Sequence, residues 1–101
     1  MISGRMVRPK KWSKVIDLYD DGEYSAIWGY YDNSNTRCLG VRWNGDNKKS
    51  NGYPIQGKYP LWYVEPHFLT KCILEELLKK VLHNKTLGDI NNIQIALNEL
   101  K

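Results

Sequence analysis

The hydrophobic pattern changes period at Pro66, and that change limits the fold more than any other feature of the chain. Upstream, short apolar and aromatic runs between turn residues read as strands; downstream, apolar side chains recur at every third or fourth position, as helices require. Strands gathered in one part of a chain and helices in the other make an α+β domain rather than alternating βαβ units. Trp12–Tyr19 reads as a first strand, with Trp12, Ile16 and Leu18 on one face and Val15 and Tyr19 on the other. Asp21-Gly22 supplies a tight hairpin turn. Residues 24–32 make a second strand, in which Tyr24, Ala26, Trp28 and Tyr30 alternate with Ile27 and Tyr31. After the polar turn Asn33–Thr36, residues 37–44 make a third, with Leu39, Val41 and Trp43 opposite Cys38, Gly40 and Arg42. Leu61–Val64 is a fourth, and Tyr53–Gln56 adds at most one short edge pairing.

A helix is predicted from Pro66 to about His83, since proline suits a first helical turn, where its missing N–H is no loss. Phe68, Leu69, Cys72, Ile73, Leu77 and Val81 form its apolar stripe, and Leu74, Leu78 and Leu82 widen that stripe. A second helix runs from Asp89, the expected N-cap, to Leu100, with Ile90, Ile93, Leu97 and Leu100 on one side. The expected architecture is a curved antiparallel β-meander of three to five strands, or a partial barrel, packed against a long C-terminal helix and followed by a second, shorter one. The 101 residues suit one domain: a basic arm over residues 1–11, where Gly4 and Pro9 disfavour regular structure, a sheet region over 12–65 and a helical region over 66–101.

Both phases of the strands carry apolar or aromatic side chains, and this sets the main question about function. A sheet with one wet face alternates apolar with polar, whereas here Trp28 and Tyr30 oppose Ile27 and Tyr31, and Trp62 and Val64 oppose Leu61 and Tyr63. The long helix covers one face. The other is left to sheet curvature, the second helix, a second copy of the chain or a ligand. With four Trp and seven Tyr against one Phe, most aromatic area also comes with a polar tip, which suits half-buried strands and binding faces alike. Core packing is the commoner role for any one ring. The wide leucine face at Leu74, Leu78 and Leu82 marks a candidate self-association stripe.

No residue pattern points to catalysis or metal binding. His67 and His83 lie sixteen residues apart at opposite ends of the predicted helix, and Cys72 follows His67 by more than one turn. Residues 32–36 have the opening of a calcium loop but lack its central Gly and closing Glu. Asp20, Asp21 and Glu23 occupy a hairpin turn, where carboxylates are normally solvated. Cys38 and Cys72 are too few for a disulfide framework and are expected as free, buried thiols. No cofactor and no metal are expected. No run of apolar residues approaches a membrane span and no apolar segment follows the basic N-terminus, so the expected setting is cytoplasmic, without membrane partners.

Charge is distributed in blocks around a net of +4. Residues 1–14 hold Arg5, Arg8, Lys10, Lys11 and Lys14 without an acid, and residues 15–32 hold only acids. Residues 33–60 return to positive with Arg37, Arg42, Lys48, Lys49 and Lys58. Cations interleaved with aromatic rings suit single-stranded nucleic acid, although solvated turns look the same in sequence. The candidate partner-binding residues are therefore Trp28, Tyr30, Arg42, Lys48, Lys49, Tyr53, Lys58, Tyr59 and Trp62, with the Gly- and Pro-rich segment 45–60 as a candidate binding loop. A small-molecule pocket lined by Trp28, Trp43 and Trp62 is a further alternative.

The stretch Cys38-Leu39-Gly40-Val41-Arg42-Trp43-Asn44-Gly45, then Gly52-Tyr53-Pro54 and Tyr59-Pro60-Leu61-Trp62-Tyr63-Val64-Glu65-Pro66, resembles a group of short bacterial proteins. These occur among gene-cassette (integron-type) and other mobile-element reading frames. The resemblance spans roughly residues 12–78 and implies a bacterial accessory protein, with no catalytic residue to carry over. The expectation is a non-enzymatic binding or adaptor module acting on a protein partner or as a homodimer. Binding of single-stranded nucleic acid is the first alternative.

Overall fold

The computed structural model describes residues 3–45 and 51–101. Three long strands, β1 (Trp12–Asp20), β2 (Tyr24–Tyr31) and β3 (Cys38–Trp43), form the expected antiparallel meander. The short strand β4 (Ile55–Gln56) pairs with β5 (Tyr59–Pro60) in a separate two-stranded hairpin. Strand β6 (Tyr63–Val64) returns to the main sheet beside β3, giving the order β1-β2-β3-β6. Helix α1 (His67–His83) and helix α2 (Ile90–Leu100) follow, so the chain is α+β with the longer helix before a short second one.

Local chemistry explains the turns. Between β1 and β2, the Asp21 carboxylate accepts the Glu23 and Tyr24 amides at 2.9 and 2.8 Å, in the manner of an Asx turn. Between β2 and β3, Asp32 and Asn33 both take positive φ (51° and 65°), and the Ser34 amide donates to the Tyr31 carbonyl. That is a type I′ turn built from the non-glycine residues that best tolerate it. Asp89 caps α2 as expected, its carboxylate accepting the Asn92 amide at 3.0 Å.

Strand β1 departs from simple alternation. Its register against β2 shifts between Ser13 and Ile16 and again between Asp17 and Tyr19, each shift inserting one extra residue, and Lys14 takes φ 48°. Trp12 and Val15 therefore fall on one face, and Ile16, Leu18 and Tyr19 on the other. The expected grouping of Trp12 with Ile16 and Leu18 is thus corrected, because each bulge moves the next side chains to the opposite face.

Two apolar clusters lie on the two faces of the sheet. On the helix face, Leu18, Tyr19, Ala26, Trp28, Leu39 and Val41 pack with Leu74, Leu77 and Val81 of α1 and Ile93 and Ala96 of α2. On the opposite face, Val7, Trp12, Ile27 and Trp62 form a smaller cluster. The N-terminal segment is therefore not a free arm. It makes a 3-10 turn at Gly4–Met6, buries Val7, and receives the Trp62 indole N–H on the Val7 carbonyl at 2.8 Å. Arg8 pairs with Asp17 at 2.6 Å, and Asp20 accepts the Gly4 amide at 3.1 Å and the Ser3 hydroxyl at 3.2 Å. Gly4 is needed for this fit: a Cβ there would stand 2.5 Å from the Ser25 Cβ.

The stripe on α1 is centred on Thr70, Leu74, Leu77 and Val81, which are buried. Cys72 lies two residues from both Thr70 and Leu74, about 200° around the helix, and is exposed rather than buried. Cys38 is half-buried beside the smaller cluster, and burial pushes its thiol pKa up. The outer side of β1 is covered by the α1–α2 connector: Tyr19 bridges Gly88, Asp89 donates to the Leu18 carbonyl at 3.0 Å, and Asn92 to that of Asp17 at 2.8 Å.

Substituting Gly4 by Val should lift the N-terminal segment from the sheet, costing about 1–3 kcal/mol by overpacking. Thermal unfolding and amide exchange over residues 3–9 would show it; wild-type protection there would mean that the fit at Gly4 is not tight. Acid should weaken the same anchor. Burial opposes the Asp20 charge, but hydrogen bonds from Gly22, Asn44, Gly4 and Ser3 outweigh it and hold the pKa below the ordinary carboxylate value. Because the folded pKa is the lower one, this stability is present above about pH 4 and is lost as pH falls through the folded value. Asp20→Asn should flatten that part of the acid-unfolding profile.

Candidate functional site

The segment that follows β3 is organised by a buried cation. Arg42 points away from the helices and is 1% exposed. Its guanidinium donates to the carbonyls of Leu61 (2.6 Å), Pro54 (3.3 Å) and Asn51, gathering residues 51–61 around one side chain. Desolvation lowers its pKa, and among the described residues no carboxylate pairs with it. Among the described residues its Nε has no hydrogen-bond partner. Gly52, at φ 81°, lets the backbone turn against β3, where a Cβ would meet the Trp43 carbonyl at 2.0 Å. Tyr53 then bridges Trp43 with a pair of backbone hydrogen bonds of 2.8 and 3.0 Å. The Tyr53-Pro54 peptide is cis.

This arrangement divides the candidate partner-binding residues into three groups. Arg42, Trp28 and Trp62 are interior: Arg42 holds the loop, and the two indoles belong to the clusters on opposite faces of the sheet. Trp28 donates its indole N–H to Glu99 of α2 at 2.8 Å. Trp43 is separate again, packed edge-on to Tyr24 with ring centroids 4.7 Å apart and exposed to solvent. The three tryptophans therefore line no common pocket, since strand pleating sends Trp28 and Trp62 to opposite sides. Tyr30 is half-buried under Arg37, which ion-pairs with Glu99. Tyr53, Lys58 and Tyr59 are exposed. Lys48 and Lys49, and with them part of the 45–60 segment, lie outside the described residues.

The leucine stripe is also reassigned. Leu74 is buried in the main core, Leu78 packs against it, and only Leu82 is exposed, because α2 occupies the side of α1 that the wide stripe seemed to leave free.

Two surfaces bear on the candidate residues most directly. The first runs along the side of β3 that pairs with β6 and Tyr53. Tyr63 pairs with Val41 and Tyr53 with Trp43, and directly opposed residues of antiparallel strands point to the same face. Trp43, Tyr53 and Tyr63 thus share the helix side of the sheet edge, 55%, 65% and 51% exposed. Sequence reasoning assigned Trp43 to a pocket and passed over Tyr63, because alternation alone does not say where a helix stops covering a sheet. The second surface, on the opposite face, is a cleft between residues 6–12 and the β4–β5 hairpin.

His67 and His83 sit at the two ends of α1. Asp20 and Asp21 are both held below the ordinary carboxylate range by the amides of their turn, despite partial burial, and Tyr19 is pushed up to about 12 by burial and by its bond to Asp21. Among the described residues no group of three His, Cys, Asp or Glu is placed to hold a metal ion. Among the described residues no helix is long and apolar enough to cross a membrane.

Arg42→Lys keeps the charge but loses the planar fork, so at least one carbonyl of the 51–61 segment is left without a donor. The expected cost is about 2 kcal/mol in denaturant unfolding, with faster amide exchange over 51–61. Unchanged exchange would show that other contacts hold the segment.

Compared with protein-family models, curated proteins and solved structures, the chain matches none of them.

Proposed function

We propose that this protein is a non-enzymatic binding module that pairs with a second copy of itself through the β6 edge of its sheet. The observation that carries this reading is the row of Trp43, Tyr53 and Tyr63, three rings at least half exposed on one face of one edge. Among the described residues no strand or bridge pairs with the outer side of β6, whereas β1, the other edge, is bulged and covered by the connector before α2. An unprotected edge flanked by aromatic side chains favours strand addition. The row has no charged member, so two copies related by a two-fold axis oppose rings to rings without placing like charges together. Phe68 and Leu69, in the first turn of α1 just after β6, are exposed as well. Rings with polar tips suit such a patch, since area is buried while hydroxyls stay wet.

Sedimentation equilibrium over a dilution series tests the reading. The wild-type chain should show a concentration-dependent dimer, and Tyr63→Lys should shift it to monomer by at least tenfold in dissociation constant while leaving thermal stability nearly unchanged. A strict monomer at every concentration would end it.

A further inference from the structure

The cleft on the face opposite the aromatic edge is a second, independent surface. One part, about 510 Å³, is lined by residues including Met6, Arg8, Pro9, Tyr59 and Leu61. A second part, about 200 Å³, is lined by residues including Lys10, Lys11, Tyr31 and Leu61. The two parts share Pro9 and Leu61 in their linings and are therefore neighbours, together termed the trough. Its lining contains cations and no acid. Lys58, which is exposed, immediately precedes the lining residue Tyr59 in the chain. The Tyr59 ring is 68% exposed, and Tyr31 is half-buried.

We infer that this trough binds a short run of single-stranded nucleic acid, with phosphates at Lys10, Lys11 and Lys58 and a base stacked on Tyr59. The fold itself brings these groups together: Val7 and Trp62 lock the N-terminal segment beside the hairpin, so lysines at 10 and 11 and the tyrosine at 59, far apart in sequence, line neighbouring parts of one face. Charge of one sign along a groove attracts a polyanion, and an exposed ring between such charges offers every base a stacking face. An acidic peptide fits less well. Recognition of carboxylates favours a bidentate guanidinium, and the one arginine in the lining, Arg8, is already spent on Asp17 and on the Gly4 and Val7 carbonyls. What remains are lysine point charges, which serve phosphate without a fixed geometry.

Fluorescence anisotropy with a labelled single-stranded oligonucleotide of about a dozen residues, at roughly 50 and 200 mM salt, tests this inference. Three phosphate contacts predict a salt exponent near −2, hence about twentyfold weaker binding at the higher salt. Lys10→Glu with Lys11→Glu should abolish binding, and Tyr59→Ala should weaken it about tenfold. All three residues are exposed, so circular dichroism should show each variant folded. Absence of binding at the lower salt would overturn the inference. So would binding that ignores Tyr59→Ala together with equal or tighter capture of a polyglutamate peptide, which would make the trough an acidic-peptide site. Tyr63→Lys, which disrupts the proposed dimer, should leave the affinity per chain within about twofold, so the two readings fail separately.

Discussion

Five consecutive residues of β2, from Ser25 to Gly29, are buried, and the remainder of the architecture follows from keeping both of their faces dry. Ala26 and Trp28 face the helices; Ser25, Ile27 and Gly29 face the other way. A strand buried on both sides needs a cover on both sides. Helices α1 and α2 supply one, and the N-terminal segment with Trp62 supplies the other. The second cover is thin, a single stretch of chain rather than a second layer of helices, so it depends on close fit. Small residues at Gly4 and Ser25 let the backbone approach, and specific hydrogen bonds at Val7, Asp17 and Asp20 hold it there.

Two polar nodes do much of this holding. Asp20 ties the N-terminal segment, the first hairpin and Asn44 together, and Asn44 in turn accepts the buried Ser25 hydroxyl at 2.6 Å. Arg42 gathers the segment between β3 and β6 on its guanidinium. Both are charged, both serve backbone groups, and both act where the chain lacks regular pairing. Loops carry carbonyls and amides that a sheet or helix would otherwise satisfy, so a buried side chain with several donors or acceptors substitutes for secondary structure. This is why Arg42, which from its neighbours reads as a surface cation among aromatics, lies in the interior.

The organisation also separates the two surfaces proposed to bind. The aromatic edge lies on the helix side of β3 and β6, and the basic trough lies beyond the opposite face. Pairing at the edge would present two troughs on one particle, and two linked sites gain avidity for a long strand without any new contact.

Local chemistry made much of the fold legible. Alternation marked where the three meander strands run, though not the faces of β1; Asp-Gly marked the first turn, and Pro66 and Asp89 marked where the helices begin. The second turn falls at Asp32-Asn33, at the front of the polar run expected to make it. These signals depend on residues within a few positions of each other, so the sequence alone determined them. It also carried the surplus of apolar side chains on both strand faces. What covers that surplus was decided only in three dimensions. Whether residues 3–9 lie on the sheet depends on Gly4 meeting Ser25, and on Trp62 reaching Val7 across 55 positions. The inward turn of Arg42, the loss of the leucine stripe to α2, and the exposure of Tyr63 are of the same kind. Each is settled by which distant segment arrives at a face first, and burial of that sort leaves no periodic trace along a chain.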